Sequence, residues 1–139
     1  LQVPQAITFN PVRDEEGAGL FASIASLSFN YQIDKHVIAR LLNNENKVKI
    51  FTGSYENEPA CSGVIFYDKD GCAGLHLIGT LPAFRGKGLA SAITRFLVNE
   101  CVKDGKRECV LHASFAGEPV YTKIGFTPQK EVVSYTISA

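Results

Sequence analysis

Arg85-Gly86-Lys87-Gly88-Leu89-Ala90 lies between an apolar, strand-like run, Cys72 to Thr80, and the longest amphipathic stretch of the chain. Backbone N–H groups at a helix start lack intrahelical partners, the helix dipole adds partial positive charge there, and glycine lets the backbone approach an anion closely. The six residues therefore read as a turn built to hold phosphate. Arg85 and Lys87 add full charges at the same place.

Working outward, Gly86 or its neighbour starts a helix in which Leu89, Ile93, Phe96, Leu97 and Cys101 share one face, and Asp104 with Gly105 ends it. Cys109 to Ala113 reads as a short strand, Gly117 to Ile124 as a brief helix stopped by Gly125, and Glu131 to Ile137 as a closing strand. Upstream of the turn, Lys49 to Tyr55, Ala60 to Phe66 and Cys72 to Thr80 read as consecutive antiparallel strands. Turn chemistry at Glu56 to Pro59 and Asp68 to Gly71 separates them.

The N-terminal third begins with a strand from Ala6 to Val12. Asp14 then caps a helix whose apolar positions are Leu20, Phe21, Ile24 and Leu27. Asp34 caps a second helix, with Ile33 and Ile38 at the positions of a hydrophobic staple, Val37, Leu41 and Leu42 completing its buried stripe, and a stop at Asn43 and Asn44. His36 falls on the exposed side of that helix. The order of elements, with no internal repeat and no linker, predicts a mixed α/β (α+β) layer fold forming a single domain over 1–139.

Fourteen basic residues balance fourteen acidic ones, so the chain lacks the overall charge expected of a nucleic-acid binder. No apolar run approaches the roughly 20 residues that span a bilayer, and no basic region leads into an apolar signal segment, which predicts a cytoplasmic protein without a membrane partner. Cys61, Cys72, Cys101 and Cys109 match no zinc or redox spacing and read as reduced core residues. The chain holds no methionine, even at its start. Leu1 is therefore expected not to be the native N-terminus, and a preceding segment or domain is expected in the full protein.

A second cluster, Tyr121, Lys123, Gly125 and Phe126, joins the turn to make a recognisable pair. With Arg85, Gly88 and Ala90 matching an Arg-x-x-Gly-x-Ala motif, Leu81 to Phe84 leading into it, and Tyr121 to Phe126 reading Tyr-x-Lys-x-Gly-Phe, the sequence resembles the GNAT N-acetyltransferase superfamily. The resemblance implies a central, mostly antiparallel twisted sheet with a splayed strand pair and helices on both faces. It implies acetyl-CoA as co-substrate and no metal.

Residue by residue, the resemblance puts the pyrophosphate on the backbone of Gly86, Lys87, Gly88, Leu89 and Ala90, beside Arg85. The pantetheine arm would lie along Ile78, Gly79 and Thr80, where an N–H could polarise the thioester carbonyl. Tyr121 matches the general acid that protonates the departing thiolate, and a phenol with a pKa of about 10 suits that transfer; the alternative is a core tyrosine packed beside Phe126. His76 stands where some members carry the general base, and the alternative is packing among Leu75, Leu77 and Ile78. His112 is a weaker candidate for the base. Ser114 replaces an asparagine common in the family and still offers a hydroxyl to the pantetheine arm, and Gly117 replaces a common alanine. Glu118 and Pro119 fit a helix start.

The acceptor side falls to the first two helices and their connection, with Phe29 and Tyr31 as substrate-binding residues beside Asn30 and Gln32. These features predict acetyl transfer to a small-molecule or peptide amine by a monomer or homodimer. A catalytically weak acyl-CoA-binding or regulatory module of a larger protein is the alternative. A nucleotide-binding module is disfavoured, because the Lys-Ser or Lys-Thr ending of a phosphate-binding loop is absent.

Overall fold

The computed structural model describes residues 6–44, 47–68, 72–112, 121, 123–128 and 134–138. The expectations at Ser114, Gly117, Glu118, Pro119 and Glu131 lie outside the described residues. In chain order the elements are β1 (Ile7–Pro11), α1 (Glu15–Phe29), α2 (Lys35–Leu41), a 3-10 turn (Leu42–Asn44), β2 (Val48–Tyr55), β3 (Glu58–Tyr67), β4 (Cys72–Thr80), a second 3-10 turn (Pro82–Phe84), α3 (Leu89–Lys103), β5 (Glu108–His112), β6 (Thr127–Pro128) and β7 (Ser134–Ser138). Tyr121, Lys123 and Ile124 are helical, and Gly125 follows with φ 121°.

Local chemistry sets the boundaries. The Asp14 carboxylate accepts the Gly17 N–H at 2.8 Å, and Glu15 and Glu16 complement the dipole in the first turn of α1. Asp34 accepts the His36 N–H at 2.8 Å, and Ile38 behind it is buried. Glu56 and Asn57 both take positive φ, 48° and 70°, as a two-residue hairpin of type I′ demands. That tight turn pairs Tyr55 with Glu58, so β3 takes in Pro59, which the sequence pattern assigns to the turn.

The described strands form one sheet in the order β1-β2-β3-β4-β5-β7-β6, and only β4 and β5 run parallel. Successive residues of a strand face opposite sides. Ile65, Leu75 and Leu111 accordingly join Leu89, Ile93, Leu97 and Cys101 of α3 in one core, while Val48, Ile50 and Val64 meet Phe21 and Ala25 of α1 and Ile38 of α2 in the other. Helices therefore cover both faces of a mostly antiparallel sheet.

Expectations for the helices need correction. Leu20 and Leu27 of α1 and Val37 of α2 are 40%, 64% and 49% exposed; α1 buries Ala18, Ala22 and Ala25 beside the expected Phe21 and Ile24, because a stripe of small residues lets the helix lie close to the sheet. The third helix starts at Leu89, not Gly86, since Gly86 and Gly88 take φ of 83° and 78°. The short strand β6, which pairs Thr127 with Thr136 and Pro128 with Tyr135, has too few residues to show a period in the sequence.

This facing of α1 predicts unequal costs of truncation. Ile24→Ala should lose about 2–5 kcal/mol and Leu27→Ala less than about 0.5 kcal/mol in urea unfolding, and equal losses would contradict the assignment.

Candidate active site

The parallel ladder between β4 and β5 pairs Cys72 with Glu108 and ends at Leu75 opposite Leu111. Beyond it β4 continues to Thr80, paired among the described residues with β3 alone. On the β3 side, Ser62 pairs with Gly79 and Val64 with His76, so Leu77 and Ile78 together oppose Gly63 in a bulge. Leu77 sits at φ 51°, a region unfavourable for a residue with a Cβ. The buried Ser62 hydroxyl donates to the Leu77 carbonyl at 2.9 Å, giving the irregular backbone a partner. A bulge bends its strand, and here the bend follows the end of the described ladder with β5.

The opening is a cavity of about 200 Å³ lined by Leu75, His76, Leu77 and Ile78 of β4, Leu111 of β5, Tyr121, and Phe29 from the end of α1. The structure thus gathers four residues singled out from the sequence: Tyr121, His76, Ile78 and Phe29. Tyr121 is 8% exposed and meets Phe126 edge to face at 6.2 Å, and burial raises its phenol above the usual value, so it stays protonated well into alkaline solution. Tyr121 therefore packs on Phe126, as the core alternative expects, and also borders the cavity. His76 is exposed and meets Phe66 edge-on at 5.1 Å rather than being sealed in the core.

Beside the cavity lies the glycine turn. Gly88 caps α3 at φ 78° with no side chain satisfying the helix N-terminus, and Gly86 takes φ 83°. A Cβ built at either glycine would meet nothing within 4 Å. Their need for glycine is conformational rather than a matter of space inside the protein, and open space lies beside both at the N-terminus of α3. The two cations already have protein partners. Arg85 Nη2 donates to the Ser28 carbonyl at 3.0 Å, and the Lys87 ammonium lies 5.4 Å from the centre of the Tyr55 ring.

Gly79 is buried beneath α1, where a Cβ would stand 2.7 Å from Ser28 Cβ and 3.1 Å from Phe29 Cε2. Its lack of a side chain brings Phe29 over the cavity. Thr80 is half-buried and pairs with Cys61. Tyr31 is 63% exposed and does not line the cavity. The backbone of His112 ends β5, and its ring lies outside the described structure, as does Ser114. Sequence reasoning missed Leu111, Ser62 and Ser28, none of which carries a local signal. Cys61, Cys101 and Cys109 are buried free thiols, Cys72 is a half-buried one, and burial pushes Cys61 up to about 12, where the thiol is inert.

A parallel ladder that stops, among the described residues, at Leu75 and Leu111, next to a glycine turn at a helix N-terminus, agrees with the acyl-transferase frame that the sequence resemblance implies. The sequence profile of the acetyltransferase (GNAT) domain matches residues 12–135, and the chain belongs to that family. No curated protein matches the sequence.

Among solved structures, the chain is similar to the ribosomal-protein-S18-alanine N-acetyltransferase of Escherichia coli (17% identity, TM-score 0.74, covering 94% of this chain and 90% of that one). It is also similar to a GNAT-family acetyltransferase of Brucella melitensis in complex with acetyl-CoA (15% identity, TM-score 0.74, covering 95% and 87%). A Pyrococcus horikoshii structure matches over 93% of this chain, which spans 46% of its length (18% identity, TM-score 0.73). At these identities the likeness is one of fold.

The left-handed cap at Gly88 gives a direct test. Gly88→Ala should lower stability by about 1–2 kcal/mol in urea unfolding despite the open space around it, and an unchanged midpoint would contradict the φ-based account.

Proposed function

We propose that the chain transfers the acetyl group of acetyl-CoA to a primary amine by direct attack, without a covalent enzyme intermediate. The observation that supports it most is the placement of Tyr121 and His76 on one cavity at the parting of β4 and β5, with the Arg85–Ala90 turn following β4. Acetyl-CoA supplies an activated thioester. The amides of Gly86 to Ala90 hold its pyrophosphate, with Arg85 and Lys87 adding positive charge, and Ile78, Gly79 and Thr80 offer strand-edge backbone to the pantetheine arm.

His76 takes the proton of the incoming amine, directly or through water, and Tyr121 gives its proton to the departing sulfur. Burial favours the neutral phenol, the form an acid needs. Phe29 forms a wall of the acceptor side, with Tyr31 further out on the same connection, and Ser114 is kept as a contact to the pantetheine arm. The acceptor is a small-molecule or peptide amine, and the protein acts in the cytoplasm as a monomer or homodimer. The balanced charge supports a reading without nucleic acid. Among the described residues no helix is long and apolar enough to cross a membrane.

Acetyl-CoA titration followed by thiol release over a panel of amines tests the reading. Saturable binding and amine-dependent release are expected, and binding without turnover on any amine would favour the non-catalytic module instead. Tyr121→Phe should lower kcat about a hundredfold or more while leaving acetyl-CoA affinity nearly unchanged. Because burial raises the phenol above its usual value, wild-type kcat should hold through mildly alkaline pH and fall only in more strongly alkaline solution. His76→Ala should remove the acid limb of the kcat/KM profile. Wild-type turnover in the first variant, or an unchanged profile in the second, would return that residue to a structural role.

A further inference from the structure

A second cavity, of about 720 Å³, opens at the β1–β2 side of the sheet, between the start of β2 and the C-terminal half of α3, and shares no lining residue with the acyl-transfer cleft. The glycine turn lies at the other end of α3, roughly 20 Å away along the helix. The cavity exists because β1 ends at Pro11 opposite Phe51. After the Val12 N–H meets the Ile50 carbonyl at 2.8 Å, the chain leaves for α1 and the edge of β2 at Val48 and Lys49 goes uncovered.

Its walls are aromatic. Phe9 stacks on Phe96 with ring centres 4.4 Å apart and planes 23° apart, and Phe51 meets Phe96 edge-on at 4.9 Å. The described charged residues lining it are Arg13, Lys49, Lys103 and Glu100. Lys49 is engaged by Asp104 at 2.6 Å and lies 4.0 Å from Glu100, and Lys103 lies 3.9 Å from Glu100. Arg13 is exposed and makes no ion pair among the described residues. Two cations are thus matched by carboxylates, and one guanidinium, whose planar fork suits a carboxylate, is left at the mouth of an aromatic-walled cavity of ligand size.

We propose that this cavity is a binding site for a small aromatic carboxylic acid, with its ring against the wall that Phe9, Phe51 and Phe96 form and its carboxylate on Arg13. The site is separate from the acyl-transfer cleft and does not depend on the proposed reaction. Apolar burial supplies the affinity, and the unmatched positive charge selects acids over neutral or cationic compounds of the same shape.

An NMR titration of the amide signals with phenylacetate, and with benzyl alcohol as the uncharged counterpart, tests it. Phenylacetate should shift the amides of Phe51, Phe96 and Glu100 and bind about tenfold more tightly than benzyl alcohol. Arg13→Gln should bring phenylacetate down to the benzyl alcohol level without changing benzyl alcohol binding, and an unchanged unfolding midpoint shows that the variant keeps its fold. Equal affinities for the two probes, shifts centred on Leu75 to Ile78 instead, or an Arg13→Gln variant that binds phenylacetate as tightly as wild type would each overturn the proposal.

Discussion

Between Leu75 and Thr80 the strand β4 faces two competing demands: to stay paired with β3 and, among the described residues, to leave its ladder with β5. The bulge resolves the conflict by placing Leu77 and Ile78 opposite Gly63, which bends β4 while its ladder with β3 resumes at Gly79. The left-handed Leu77 costs about 1–2 kcal/mol, and the Ser62 hydroxyl on its carbonyl offsets part of that. A strand edge that stops pairing inside a sheet leaves amides and carbonyls in want of partners. A pantetheine arm, itself built of amides, is the partner proposed for them. Tyr121, Leu111 and His76 border one cavity because the strands open there and nowhere lower.

The second constraint is the seat of α1. Gly79 lets Ser28 approach β4, and Arg85, from the glycine turn, donates to the Ser28 carbonyl at the negative end of the α1 dipole, where the helix has no basic residue of its own. One guanidinium thus ties the turn assigned to phosphate to the helix end that holds Phe29 over the cavity. Arg85 is consequently as much a structural link as a source of charge. Lys87, resting on Tyr55, keeps its full charge beside the turn.

Features governed by neighbours in sequence were legible in it. Asp14 and Asp34 cap their helices through backbone amides two or three residues on, and Gly88 adopts the φ that makes glycine necessary there. Features decided by distant partners were not. The burial of Ala18, Ala22 and Ala25 in place of Leu20 and Leu27 depends on how closely α1 lies to the sheet, which no local spacing encodes. The bulge at Leu77 and the tie from Arg85 to Ser28 join residues far apart in the chain. The candidate site was therefore readable as residue types, Tyr121, His76 and the glycine turn, while its shape came from Leu111, Gly79 and Phe29 meeting in space.

A crystal structure of the chain with acetyl-CoA tests the central claim, that the parting of β4 from β5 and the turn beside it form one acyl-CoA site. The account predicts the pyrophosphate within hydrogen-bond distance of the amides between Gly86 and Ala90, and the thioester between Ile78 and Tyr121. Acetyl-CoA bound away from the turn, or a thioester lying outside the cavity lined by Leu75, Leu111 and Tyr121, would contradict it.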